Sequence, residues 1–146
     1  MKSKILIALA ACLLLGADEQ DLAKKELKAL EGTWTMVALE VEGNKVAEER
    51  IQGSQLVIKE GKYIVMTRGT THETLITLDP TKKPKHIDMV FIEGENKDKI
   101  HRGIYELDGD TFKLCRSRDP EFDRPKDFTT APGTGLFCVT WKRQPK

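Results

Sequence analysis

Residues 103–116 have the sequence GIYELDGDTFKLCR, in which two apolar-alternating runs flank Asp108-Gly109-Asp110. Alternation with a period of two is typical of a strand with one buried face. An Asp-Gly pair readily takes the positive φ values of a tight turn. This stretch therefore predicts a β-hairpin in which Thr111–Arg116 pairs back on Lys99–Leu107.

Short strands and turns continue on both sides of the hairpin. The other predicted strands are Trp34–Val41, Gln55–Lys59, Tyr63–Thr67, Thr71–Leu78, His86–Ile92 and Leu136–Arg143. Ala47–Gln52 predicts one or two helical turns, and the polar segment Ser117–Gly135, with three prolines, predicts a long loop. Short strands at this spacing are typical of a meander barrel or a sandwich. A barrel is favoured because closure removes exposed strand edges. The expected class is all-β, an antiparallel barrel of about eight strands.

The N-terminus predicts a secretory signal peptide over residues 1–17. Lys2 and Lys4 precede an apolar run of 11 residues, Ile5–Leu15, and the small residues Gly16 and Ala17 follow it. Basic, apolar, small and then polar is the order of a cleaved leader. The run is shorter than the roughly 20 residues of a membrane-spanning helix. We expect an exported, periplasmic or extracellular protein with no transmembrane segment.

Cys12 offers an alternative to a soluble exported form. Leu9-Ala10-Ala11-Cys12 resembles the tetrapeptide at which bacterial lipoproteins are lipidated. Lipidation would anchor the protein to a membrane. The apolar residues Leu13–Leu15 after the cysteine favour the cleaved leader instead, since a mature lipoprotein is normally polar there.

Removal of the leader leaves one domain of nearly neutral charge. Without Lys2 and Lys4, 22 Lys and Arg face 23 Asp and Glu, so the formal net charge changes from +1 to −1. This charge does not indicate a nucleic-acid partner. The mature chain divides into an N-terminal helix over residues 18–31, followed by the barrel domain over 32–146.

Two cysteines remain after processing, Cys115 and Cys138. An even count in an oxidising compartment permits one disulfide. The alternative is that both are small buried hydrophobic residues. They have no C-x-x-C spacing, so a zinc site is not indicated.

The two ends of the mature chain resemble those of lipocalins. Gly32-Thr33-Trp34 opens the first predicted strand, and Arg143 ends the last one. In lipocalins a G-x-W begins strand A, and a basic residue at the end of the last strand packs across the tryptophan. The resemblance implies that Trp34 and Arg143 close the base of the barrel. Stacking a guanidinium on an indole contributes about 0.5–2 kcal/mol.

Four motifs in series carry a closer resemblance. They are LEGTW (30–34), LDPTKKPK (78–85), GIYELDGD (103–110) and PGTG (132–135). The series resembles an uncharacterised family of small exported lipocalin-like domains known from planctomycete bacteria. That family has no established activity, cofactor or substrate. The resemblance implies the barrel and export, and small-molecule binding is expected only by analogy with lipocalins.

Three polar groupings are candidate sites. His86 and Asp88 share one strand face, and a turn centred on residues 94–97 would place His101 opposite Val90 on that face. The cluster of His86, Asp88 and His101 would suit a metal or acid–base chemistry, whereas the simpler interpretation is an outward polar face. The basic segment Asp79–Lys85 would suit an anion or serve as a rigid turn. The acidic residues between 119 and 127 lack the order of a calcium loop.

The sequence contains no G-x-S-x-G, H-E-x-x-H or phosphate-binding glycine loop. We therefore expect a non-catalytic monomer that binds a small apolar molecule without a cofactor or metal. The alternative is a solid barrel that acts as a structural or protein-interaction module of the cell envelope. A third hypothesis is a metal-dependent or acid–base enzyme built on His86, Asp88 and His101.

Overall fold

A computed structural model describes residues 2–120 and 122–146, with side chains from residue 16 onward. Helix α1 spans Lys2–Leu30, and α2 spans Glu48–Ile51. The strands are β1 Gly32–Val41, β2 Asn44–Lys45, β3 Gln55–Lys59, β4 Lys62–Thr67, β5 Thr70–Asp79, β6 Lys85–Phe91, β7 Ile100–Asp108, β8 Thr111–Ser117 and β9 Leu136–Arg143. The predicted all-β class is confirmed.

Eight strands form a closed antiparallel barrel. β1 and β3 to β9 follow one another around the sheet, and β1 also pairs with β9. The two-residue strand β2 extends β1 as a hairpin. A bulge between Met36 and Ala38 separates the part of β1 that pairs with β3 from the part that pairs with β2. Closure leaves no free edge among these eight strands, so the predicted barrel is confirmed.

Alternation along the strands divides inner from outer side chains. On β8, the side chains of Phe112 and Leu114 lie in the core. Cys115, the next residue along the strand, faces outward. The buried core residues are Leu30, Trp34, Leu56, Ile58, Tyr63, Ile76, Leu78, Ile87, Met89, Tyr105, Phe112, Leu114, Val139 and Trp141. Burial of these side chains is the main stabilising contribution to the fold.

α1 closes one end of the barrel. Leu30 is fully buried in the core, and its carbonyl accepts a hydrogen bond of 3.0 Å from Nε1 of Trp34. Glu26 accepts hydrogen bonds from the Tyr105 hydroxyl at 3.0 Å and from Nζ of Lys85 at 2.9 Å. The helix predicted over residues 18–31 corresponds to the C-terminal part of α1, which ends at Leu30. The side chain of Cys12, the alternative lipidation site, lies outside the described residues.

The long loop between β8 and β9 covers part of the outer face. Phe128 packs on a cluster of Ile104, Cys115 and Cys138. Arg124 donates hydrogen bonds to the carbonyls of Ile87 and Gly103. Gly103 is required here because a Cβ would lie 2.7 Å from the Cys115 carbonyl oxygen. Within the described part of the chain, no helix has the length and apolar character of a membrane span.

Candidate binding chamber in the barrel

The barrel contains a chamber of about 310 Å³ at the end opposite α1. Its wall is mostly apolar, formed by Met36, Leu39, Val65, Met89, Phe91, Phe137, Val139 and Trp141, with Tyr63, His72, Thr74 and Arg116. Small-molecule sites in proteins are typically concave, mainly apolar and about 300–1,000 Å³ in volume. The interior is therefore not filled by side chains, and its free volume lies at the lower end of that range.

Polar atoms deep in the chamber already have partners. Nε1 of Trp141 donates to the Tyr63 hydroxyl at 3.0 Å, and the two rings meet edge to face. The Thr74 hydroxyl donates to the Tyr63 carbonyl at 3.3 Å. Burial raises the pKa of Tyr63 well above its usual range, so the phenol stays neutral. A molecule in this part of the chamber would meet mainly apolar surface.

Arg116 lies on the inner face of β8, where the chamber opens. Its guanidinium carbon is 4.3 Å from the centroid of the Phe137 ring and 5.5 Å from that of Phe91. One guanidinium nitrogen, Nη1, donates to the Ser117 carbonyl at 2.9 Å. Burial lowers the pKa of Arg116 to about 10, so the side chain remains charged near neutral pH. A positive charge therefore stands at the mouth of an apolar chamber.

His101 is a fully buried neighbour of Arg116. Its Nδ1 lies 3.3 Å from Nη1 of Arg116, and its Nε2 has no hydrogen-bond partner among the described residues. Burial, reinforced by the charge of Arg116, lowers the pKa of His101. The imidazole is therefore neutral near neutral pH. Nδ1 also lies 3.4 Å from the Ser117 carbonyl oxygen, so the tautomer decides whether it accepts from Arg116 or donates to Ser117.

A second cavity of about 380 Å³ lies outside Arg116 and is more polar. It is lined by Val41, Phe91, Asn96, His101, Arg116, Arg118 and Phe137. The two cavities share Phe91, Arg116 and Phe137. These three side chains form the boundary between the apolar chamber and the polar mouth.

The structure does not bring together the predicted cluster of His86, Asp88 and His101. β6 and β7 pair with Met89 opposite His101, one residue away from the register that was expected. Since neighbouring residues of a strand face opposite sides, this shift turns His101 inward while His86 and Asp88 face outward. Asp88 instead pairs with Arg124 at 2.7 Å. Among the described residues, no group of three His, Cys, Asp or Glu side chains could hold a metal ion.

Trp34 and Arg143, the two residues predicted to close the base of the barrel, lie together at the closed end. The guanidinium carbon of Arg143 is 4.1 Å from the centroid of the Trp34 ring. Arg143 also donates to the carbonyls of Glu31 and Ala29, at 2.8 and 2.6 Å. These contacts tie the end of β9 to the segment that joins α1 and β1.

Cys115 and Cys138 form a disulfide, which decides between the two alternatives for these residues. They lie directly opposite each other on β8 and β9. The bond faces the long loop and not the chamber. It therefore belongs to the framework that holds these two strands together.

The two charged loops contain local turns. In the basic loop, the Asp79 carboxylate accepts bonds from the amide and hydroxyl of Thr81, which lower the pKa of Asp79. In the long loop, Asp127 accepts equivalent bonds from Thr129. Both aspartates therefore act as turn-stabilising residues in this structure.

Sequence patterns did not single out Arg116, although one signal was present. Phe112, Leu114 and Arg116 alternate on β8, so the arginine shares the inward face of two core residues. Arginine is rarely buried without a partner, and the inward position is therefore informative.

No protein-family model, curated protein or solved structure matches this chain. What the barrel does is therefore inferred from its own geometry.

Proposed function

We propose that the mature protein is an exported, lipocalin-like binding protein whose chamber holds a small apolar molecule without catalysing a reaction. The observation that carries this proposal is the mostly apolar chamber of about 310 Å³ inside a closed barrel. Small eight-stranded barrels are either packed solid or hold one small ligand. The end of the barrel that α1 closes is well packed, whereas the opposite end has free volume. This difference favours a barrel that holds a ligand.

The presence of the chamber favours a binding protein over the two alternatives, a solid interaction module and an enzyme. A solid barrel acting only through its outer face would not need this volume. Among the described residues, the large apolar side chains that remain exposed are Leu22, Val37, Leu75, Ile92, Ile100 and Phe122. Leu75 and Ile100 flank Val90 on the outer face, and this small patch is the surface that an interaction module would use. An enzyme based on His86, Asp88 and His101 has lost its support because these residues face different sides of the sheet.

Ligand entry can be tested with 1-naphthylamine, a neutral fluorescent probe whose emission increases in apolar surroundings. Val65 lines the chamber on β4, so Val65→Trp should fill it. Val57, on the adjacent strand β3, lies between the buried residues Leu56 and Ile58 and faces outward. Val57→Trp is the matched control.

We expect the wild-type protein and Val57→Trp to enhance probe emission, and Val65→Trp to lose most of this effect while unfolding cooperatively. Equal binding by all three proteins would place the probe elsewhere. No binding by the wild-type protein would contradict a chamber for apolar molecules.

Export is supported by the leader pattern over residues 1–17 and by the Cys115–Cys138 disulfide. Disulfides persist mainly in oxidising compartments. Intact mass measurement on protein exported by a bacterial host should give a chain that begins at Asp18. A lipidated chain beginning at Cys12 would instead support the anchored form, and Cys12→Ser would then abolish the anchor.

A further inference from the structure

We propose that the ligand is an amphiphile with one anionic head, a carboxylate, which Arg116 binds at the mouth while the apolar tail occupies the chamber. This inference rests on the proposed function and specifies the chemical class of the ligand. It follows from the position of Arg116, its missing countercharge, its unused donors and the surroundings of His101.

Arg116 has no acidic partner among the described residues, in contrast to other partly buried arginines. Arg124 pairs with Asp88 at 2.7 Å, and Arg143 pairs with Asp110 at 3.4 Å. None of the described residues that line the chamber or the mouth is acidic. A buried charge is costly unless it is paired, so a ligand carboxylate at this position would supply the missing countercharge.

The guanidinium of Arg116 also has donors to offer. Its contacts with the Ser117 carbonyl and with His101 both use Nη1. In the described part of the chain, Nε and Nη2 make no hydrogen bond. These are the two nitrogens that form one edge of the guanidinium fork, which matches the two oxygens of a carboxylate. The rings of Phe137 and Phe91 hold the group at the boundary between the cavities.

His101 supplies a second, independent observation. The residue is 1% exposed and lines the mouth, yet its Nε2 has no partner among the described residues. Its neutral imidazole lies 3.3 Å from the Arg116 guanidinium and carries no charge that would compete with an anion for it.

The volume of the chamber limits the tail. At about 30 Å³ for each water-sized group, about 310 Å³ accommodates about ten methylene-sized groups. A medium-chain carboxylate such as decanoate therefore matches the chamber, with its head at Arg116. Decan-1-ol has the same chain and no charge, which makes it the matched neutral ligand.

The test is calorimetric titration of the mature protein with decanoate and with decan-1-ol near neutral pH. The variants are Arg116→Gln, Arg116→Lys, and Arg50→Gln as the control that removes the same charge from the exposed helix α2. We expect the wild-type protein and Arg50→Gln to prefer decanoate by at least about tenfold, the effect of one or two hydrogen bonds to charged groups. Arg116→Gln should reduce the preference to near unity, and Arg116→Lys should give an intermediate value because it keeps the charge without the fork.

Three results would overturn the inference. They are equal binding of the two ligands by the wild-type protein, an unchanged preference in Arg116→Gln, or an equal loss in Arg50→Gln. In each case, continued binding of decan-1-ol or 1-naphthylamine would leave the apolar chamber supported. Failure of all three ligands to bind would instead contradict the proposed function itself.

Discussion

The guanidinium of Arg116 lies over the ring of Phe137, with 4.3 Å between the guanidinium carbon and the ring centroid. The two residues come from adjacent strands and are direct partners in the pairing of β8 with β9. The contact keeps a charged group at the point where an apolar chamber meets a polar mouth. The pair therefore connects the positive charge at the mouth with the apolar chamber, the two features from which ligand binding is inferred.

Loss of the Phe137 ring should weaken decanoate binding. In Phe137→Ala the guanidinium loses a cation–π contact of about 0.5–2 kcal/mol, and its fork is no longer held in one plane. We expect decanoate affinity, measured by calorimetry, to fall several-fold. Phe128→Ala is the control, because Phe128 makes a similar contact with Lys113 on the outer face. Equal losses in the two variants would show that the effect is not specific to the mouth.

Arg143 should contribute to stability and not to binding. In Arg143→Met the side chain loses its stacking on Trp34 and its hydrogen bonds to Glu31 and Ala29. We expect the free energy of unfolding in urea to fall by about 2 kcal/mol. Arg143→Lys keeps the charge and should recover only part of the loss. Unchanged stability in Arg143→Met would contradict the role of this residue in closing the barrel.

Removal of the disulfide should destabilise the barrel while leaving the chamber in place. The bond joins residues 23 positions apart, and constraint of the unfolded chain by such a loop is worth about 2–4 kcal/mol. We expect the double variant Cys115→Ala/Cys138→Ala to lose this amount in chemical unfolding. Because the bond lies on the outer face, 1-naphthylamine should still bind below the unfolding transition. A variant as stable as the wild type would contradict the prediction.

Stability should fall on mild acidification because of His101. Burial, followed by the charge of Arg116, lowers its pKa below the ordinary value of 6.5, while the Ser117 carbonyl and Asp119 oppose the shift. The unfolded chain therefore binds the proton first as the pH falls below about 6.5. The free energy of unfolding should decline in that range, by at most about 1.4 kcal/mol per pH unit for each such histidine.

The variant His101→Gln separates this contribution from that of His86. The pKa of His86 is also lowered, mainly by burial and then by Arg124, so His86→Gln should remove its own share of the slope. His101→Gln keeps an acceptor for Arg116 and should flatten the decline of stability with falling pH. A slope identical to that of the wild-type protein would show that His101 does not titrate differently in the folded and unfolded states.

The strands were largely predictable because each has one buried face. β3 and β9 have the bounds that alternation predicted, Gln55–Lys59 and Leu136–Arg143. The register of β6 with β7 was not predictable, because their connection is irregular. It contains Asp98 with a φ of 65° and a bridge between Phe91 and Lys97. One residue of difference there moved His101 from the outer face to the inner face.

The candidate site was less predictable than the fold. The inward position of Arg116 follows from alternation with Phe112 and Leu114, but a charged residue at the end of a strand is usually exposed to solvent. The chamber depends on how completely the side chains of the eight strands fill the interior. The free volume is the small difference between the volume that the barrel encloses and the volume of its side chains, and no local sequence pattern predicts it.

The most direct test of ligand binding in the chamber is a methyl ¹H–¹³C NMR titration of the mature protein with 1-naphthylamine. The aromatic ring current of the probe shifts the resonances of nearby methyl groups. Binding in the chamber should give the largest shifts at Met36, Leu39, Val65, Met89 and Val139, which line it, and small shifts at the outward-facing Val57 and Val90. Shifts confined to the outer face, or none at saturating probe, would contradict it.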